Sequence, residues 1–162
     1  MQADLILAGK SGWSPAQPLG STALALIAAA PRSFLLVHQE TAPAAPILSV
    51  YEDSAESRRA LELAVRLAEA RDTGLVVFLL AATPEAGMTL QQQASEIIGH
   101  RLKHARFRRI EREDPVELAR LLRSEEDGLL VLSGASLLAE EAAIRKLLEL
   151  VPNPVLLLRP ES

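Results

Sequence analysis

Gly9 and Gly12 directly after an apolar run, then Gly20-Ser21 at the head of an alanine-rich run, are the residues of this chain best suited to holding a phosphate. Glycines lack the Cβ that would keep backbone N–H groups away from an anion, and a helix N-terminus with a hydroxyl beside it adds donors and a favourable dipole. Gly9-Lys10-Ser11 also has the look of a P-loop ending, but that motif needs a glycine five positions before Gly9, where Asp4 stands. His100 and His104, spaced i and i+4, could share a helix face as metal ligands. Arg101 and Lys103 beside them, with no carboxylate motif between, favour a solvated face and no metal site. Residues 100–112 hold six Lys/Arg against one Glu, with Phe107 the only stacking aromatic, so charge guarding a sheet edge explains the run better than nucleic-acid binding does. The carboxylates are scattered, with no paired acid and base, and no catalytic residue is expected.

The glycine loop belongs to a motif that the chain writes twice. Residues 4–9 form an apolar run stopped by Gly9, residues 22–30 a run of helical composition, and Pro31 precedes the apolar residues 34–37. From Gly128 the order recurs, with an apolar run stopped at Gly134, a helical run to Leu150, Pro152, and the apolar residues 155–158. Gly9 lies 22 residues before Pro31 and Gly134 only 18 before Pro152, so the second copy is four residues shorter, in the glycine loop. The chain therefore carries two copies of a strand–helix–strand half-unit, with a phosphate-type loop in one of them.

Between the copies, residues 39–46 read as an Ala/Pro linker and residues 47–51 as a buried strand. Ser54 is a good N-cap for a helix over 55–71, with Ala60, Leu61, Ala64, Leu67 and Ala68 inward and Arg58, Glu62, Arg66 and Glu69 outward, ended by Gly74. Residues 75–80, apolar on both faces, predict a central strand of a helix-covered parallel sheet. A loop over 82–88 and a more polar helix over 89–102 are expected next, then an arginine-studded edge strand over 105–111. Asp114-Pro115 supplies both the cap and the first residue of a further helix. Strictly alternating strands and helices from Ile47 onward predict a doubly wound parallel α/β sheet.

Composition agrees with a folded core: of 162 residues, 49% are hydrophobic and only 3% aromatic, so Leu, Ala, Val and Ile must fill it. A net charge of −4 speaks against nucleic acid as a partner. The absence of cysteine suits a reducing compartment, no apolar run approaches the roughly 20 residues a membrane span needs, and residues 1–4 lack a signal peptide's positive flank. A cytoplasmic protein without membrane partners is expected.

These residues resemble the universal stress protein family. Residues 47–54, with Ser57-Arg58-Arg59-Ala60-Leu61, resemble that family's opening strand, turn and first helix, and Glu113-Asp114-Pro115 its turn before the third helix. The likeness covers residues 46–160. Residues 3–37 resemble the last third of a second such domain. The resemblance implies a five-stranded Rossmann-like unit over 46–162, extended by a partial unit over 1–40, in a tandem chain whose first domain is truncated. It further implies one continuous sheet, in which the strands at 34–37 and 155–158 pair antiparallel.

ATP-binding members of the family carry Gly-x-x-Gly, nine residues and Gly-Ser/Thr after the fourth strand. Gly9, Gly12, Gly20 and Ser21 match this with a loop two residues shorter, but lack a strand one to supply the adenine and ribose contacts. In the complete unit Glu52 stands where nucleotide-binding members carry Asp, with Ser54 following, yet Gly134 is followed by Ala135-Ser136-Leu137-Leu138 and no second glycine. An adenylate-forming ATP pyrophosphatase would need a glycine-rich serine loop at 51–54, where there is no glycine. The expectation is a non-catalytic stress-protein-like module with an incomplete nucleotide site and no resident cofactor, working as a homodimer or on a partner. The alternative is a regulatory module that binds ATP through the N-terminal glycine loop.

Overall fold

The computed structural model describes residues 5–10, 19–29, 33–37, 45–111, 114–125, 128–133 and 141–159. In chain order these form β1 (Leu5–Gly9), α1 (Ser21–Ala29), β2 (Ser33–Val37), β3 (Ile47–Tyr51), α2 (Ala55–Arg71), β4 (Leu75–Leu80), α3 (Pro84–Ile98), β5 (Ala105–Ile110), α4 (Pro115–Leu122), β6 (Leu129–Ser133), α5 (Glu141–Leu150) and β7 (Val155–Leu158). A single 3-10 turn, Arg123–Glu125, follows α4.

All the described strands belong to one sheet of order β1-β2-β7-β6-β3-β4-β5. Every neighbouring pair is parallel except β2 and β7, which run antiparallel with Leu35 opposite Leu156. The expected doubly wound sheet and its antiparallel seam are both present. β3 to β7 form the five-stranded unit, and β1 and β2 extend the sheet beyond it.

Alternation along the strands divides the core in two. Leu48 and Val50 of β3, Val76 and Phe78 of β4, and Leu130 and Leu132 of β6 point to the side covered by α1, α4 and α5. Ile47 and Tyr51, Val77 and Leu79, and Val131 point to the side covered by α2 and α3. Phe34 and Leu36 of β2 and Ala23 and Ile27 of α1 join the first of these clusters with Val155, Leu157, Ile144 and Leu147. Burial of side chains of this size contributes roughly 1.5–3 kcal/mol each, so the N-terminal extension is part of the main core.

Local chemistry explains most element ends. Ser54 caps α2 by accepting from the Ser57 N–H at 3.1 Å, and Asp114 caps α4 by accepting from the Val116 N–H at 2.9 Å. Two expectations are corrected. The α2 helix is closed by Asp72, left-handed at φ 51° with its N–H on the Ala68 and Glu69 carbonyls, while Gly74 lies beyond. α3 begins at Pro84, because Thr83 caps it, Pro84 occupies its first turn and Glu85 favours the positive helix end. It stops at Ile98, before the position expected for its C-terminus. β5 is an edge strand, as its arginines predict, with Arg106 and Arg108 paired to the buried Glu125 at 2.8 and 3.4 Å.

Candidate functional site

In a doubly wound sheet, ligands sit beyond the carboxyl ends of the strands where the winding direction reverses. Within the five-stranded unit the reversal falls between β3 and β6, so Glu52, following β3, stands at the head of that crevice. Ser133, the last residue of β6, is buried on its other side. The turn after β3 is tightly closed: the Ser54 N–H donates to the Glu52 carbonyl at 2.8 Å, and the Glu52 N–H donates to Ser57 Oγ at 3.2 Å. Ser57 Oγ in turn donates to the Glu52 carbonyl. Glu52 is buried and Ser54 partly exposed. Gly134, Ala135 and Ser136, which follow β6 in the sequence, lie outside the described residues.

The glycine residues of the N-terminal unit stand elsewhere. Because β2 runs antiparallel to β7 and β1 runs parallel to β2, the carboxyl end of β1 opens at the end of the sheet where β3 to β7 begin. β1 and β3 are also separated by four strand spacings, roughly 19 Å. Gly9, Gly20 and Ser21 are brought together, the Gly20 N–H donating to the Lys10 carbonyl at 3.0 Å and the Gly20 carbonyl accepting from Leu24 as α1 starts. Gly12 lies outside the described residues. The predicted site residues thus form two groups, Gly9 with Gly20 and Ser21, and Glu52 with Ser54, at opposite ends of the sheet.

Lys10 has a different occupation from a phosphate-binding lysine. It is buried, 1% exposed, and its Nζ donates to the Val151 carbonyl and, at 3.4 Å, to the Asn153 carbonyl, just past the end of α5. Burial lowers its pKa to about 8. Asn153 continues the network, its side-chain amide donating to the Glu125 and Gly128 carbonyls at 3.3 and 2.9 Å. The signal in the sequence was a lone lysine between an apolar strand and a glycine loop, a position that suits ligand binding and burial equally. Arg159 makes the reciprocal contact, donating to the Leu26 and Ile27 carbonyls at the end of α1 and lying 5.7 Å from the Phe34 ring centre.

His100 and His104 do not share a helix face, since α3 has ended; His100 sits in the following turn, His104 just before β5, and both are exposed. Among the described residues no group of three metal-ligating side chains occurs, and no helix is long and apolar enough to cross a membrane. An open cleft of about 500 Å³ between α2 and α3 is lined by Arg58, Arg66, Arg101, Glu62, Glu96 and Ile97, with Arg101 bound to Glu69 at 2.6 Å. Its charges of both signs largely offset one another.

Neither a protein-family model nor a curated protein matches the sequence. Solved structures do. A universal stress protein from Archaeoglobus fulgidus DSM 4304 matches with a TM-score of 0.73 at 18% identity, over 98% of this chain and 62% of its own. This chain thus spans less than two thirds of that protein. A universal stress protein in complex with cAMP matches with a TM-score of 0.60 at 12% identity, over 72% of this chain and 98% of its own. A third, from Archaeoglobus fulgidus in complex with dAMP, matches with a TM-score of 0.58 at 15% identity, over 72% of this chain and 99% of its own. With its winding order, its reversal point between β3 and β6 and these likenesses together, the chain has the fold of the universal stress proteins.

Proposed function

We propose that this protein is a non-catalytic, universal stress protein-like module that acts through association, with itself or a partner protein, and whose nucleotide equipment is split. The N-terminal unit is read as the last part of a second such domain. Two kinds of likeness support this: relatives that are matched almost whole cover 72% of the chain, while a longer one covers 98% of it and is itself matched over 62%. A chain of one complete and one partial unit would give that pattern. The cysteine-free, acidic composition suits a cytoplasmic protein that does not bind nucleic acid.

The observation that carries the reading is the reversal of strand direction at the β2–β7 seam. It puts Gly9, Gly20 and Ser21 at the opposite end of the sheet from the Glu52 turn, which supports a reading in which phosphate and adenosine contacts do not converge on one nucleotide within one chain. Calorimetry with Mg-ATP and with cAMP at millimolar concentration tests this. No saturable heat is expected, and stoichiometric micromolar binding would overturn the split-site reading.

A second reading, an adenine-nucleotide-binding regulator, draws on the cAMP and dAMP complexes of two fold relatives. It is distinguished by Gly20→Val. If nucleotide binds and this substitution abolishes binding, the N-terminal loop holds the phosphates and residues of another chain complete the site.

A further inference from the structure

We infer that the outer side of the N-terminal unit is a contact with a second copy of this chain, centred on Leu5 and Leu7 of β1. The inference rests on the reading of the protein as an association module and names the surface used. β1 is one of the two edges of the sheet, paired with β2 on one side. Its side chains alternate: Ile6 and Ala8 pack against the core beneath α1, while Leu5 and Leu7 point to the other face and are 47% and 65% exposed.

That other face is apolar beyond β1. Leu7 stands opposite the half-buried Leu35, and Leu35 opposite Leu156, which already packs on the α2 side of the core. In the repeat of this half-unit, α2 packs against the corresponding strand β6 and covers Val131. Over Leu5 and Leu7, among the described residues, no helix lies. An uncharged edge strand that, among the described residues, pairs on one side only and carries exposed leucines is an association surface.

Charge and symmetry single out a second copy as the occupant. The opposite edge, β5, carries Arg106, Arg108 and Arg109, so joining β1 of one copy to β5 of another would set arginines against leucines and leave an open-ended chain of contacts. β1 against β1 closes around a two-fold axis, each strand offering the same uncharged Leu5–Gly9 edge. The molecule already joins this half-unit to its own repeat in that manner, through the antiparallel β2–β7 pair.

Light scattering on the full chain at tens of micromolar tests the inference, using wild type, Leu5→Lys, Leu7→Lys and, as control, Val116→Lys on the distant helix α4, where Val116 is 53% exposed. Wild type is expected as a dimer, both leucine variants with a dissociation constant raised more than about tenfold, as for a residue central to an interface, and the control unchanged. Because all three positions are exposed, far-ultraviolet circular dichroism should match wild type. A monomeric wild type, or a dimer indifferent to both leucine substitutions, overturns the contact. The outcome is separable from the split-site reading, since calorimetry on the same variants reports nucleotide binding whether or not they dimerise.

Discussion

The ammonium of Lys10, from the first strand–loop junction of the chain, donates to the carbonyl of Val151, 141 residues later and just past the end of α5. A helix leaves its last carbonyls without intrahelical partners, and a cation there is favoured by both hydrogen bonding and the helix dipole. Arg159, after the last strand, does the same for the Leu26 and Ile27 carbonyls of α1. Each half-unit thus supplies the cation that finishes the other's helix, and the two are interlocked by charge as well as by the β2–β7 seam.

The burial of Lys10, which outweighs the favourable carbonyl contacts, predicts a pH dependence of stability with a definite sign. Burial lowers the Lys10 pKa from 10.5 to about 8, so above about pH 8 the unfolded chain holds a proton that the folded chain has released. Stability then rises with pH, by up to ~3 kcal/mol between about pH 8 and 10.5, and is flat for this group below that window. Denaturant unfolding of wild type and Lys10→Met over pH 7 to 10 checks it, the expected result being a rise in wild type that the variant lacks. Parallel curves would show that Lys10 titrates normally.

Removing residues 1–40 is expected to give an aggregating protein. The truncation would strip Phe34, Leu36, Ala23 and Ile27 from the first core cluster and bare the β7 edge at Val155, Leu156 and Leu157. Arg159→Met is the milder probe, since it removes the contact with α1 while leaving the strands in place, and should cost about 1–2 kcal/mol in chemical denaturation. A soluble, monomeric remnant as stable as the full chain would mean that the N-terminal unit is an accessory.

Two glycines that sit close to neighbouring atoms should respond differently to alanine. A Cβ on Gly128 would lie 2.8 Å from Leu48 Cγ and 2.9 Å from the Pro46 carbonyl oxygen, in a buried corner where backbone has to move, and should cost about 1–3 kcal/mol. A Cβ on Gly87 would lie 2.6 Å from Arg109 Cδ, which belongs to a flexible, partly exposed side chain that can swing away. Thermal melts of Gly128→Ala and Gly87→Ala should show the first much less stable; equal melting temperatures would contradict the packing argument.

The order of elements, the arginine-guarded edge and the caps at Ser54 and Asp114 were legible in the sequence by itself, because periodicity, capping chemistry and apolar runs act over a few residues. α3 starts earlier than Pro84 and Gly87, as loop formers, predict, although its signal, Thr83-Pro84-Glu85, is present in the sequence: a proline is tolerated in a first turn and a buried glycine can let Arg109 pass. His100 and His104 share no helix face because the helix stops at Ile98, before either of them.

What the tertiary structure decided concerns direction and distance. The same glycines and the same Glu52 would read as one nucleotide site or as two fragments depending on which way β1 points relative to β3, and that follows from the antiparallel seam between β2 and β7. Whether Lys10 faces a phosphate or a helix end depends on a contact 141 residues away in the chain. Leu5 and Leu7 are exposed while Ile6 is not because α1 returns over one face of the sheet and α2 stops short of the other. Such facts depend on partners distant in sequence, which residue types and short-range spacing do not encode.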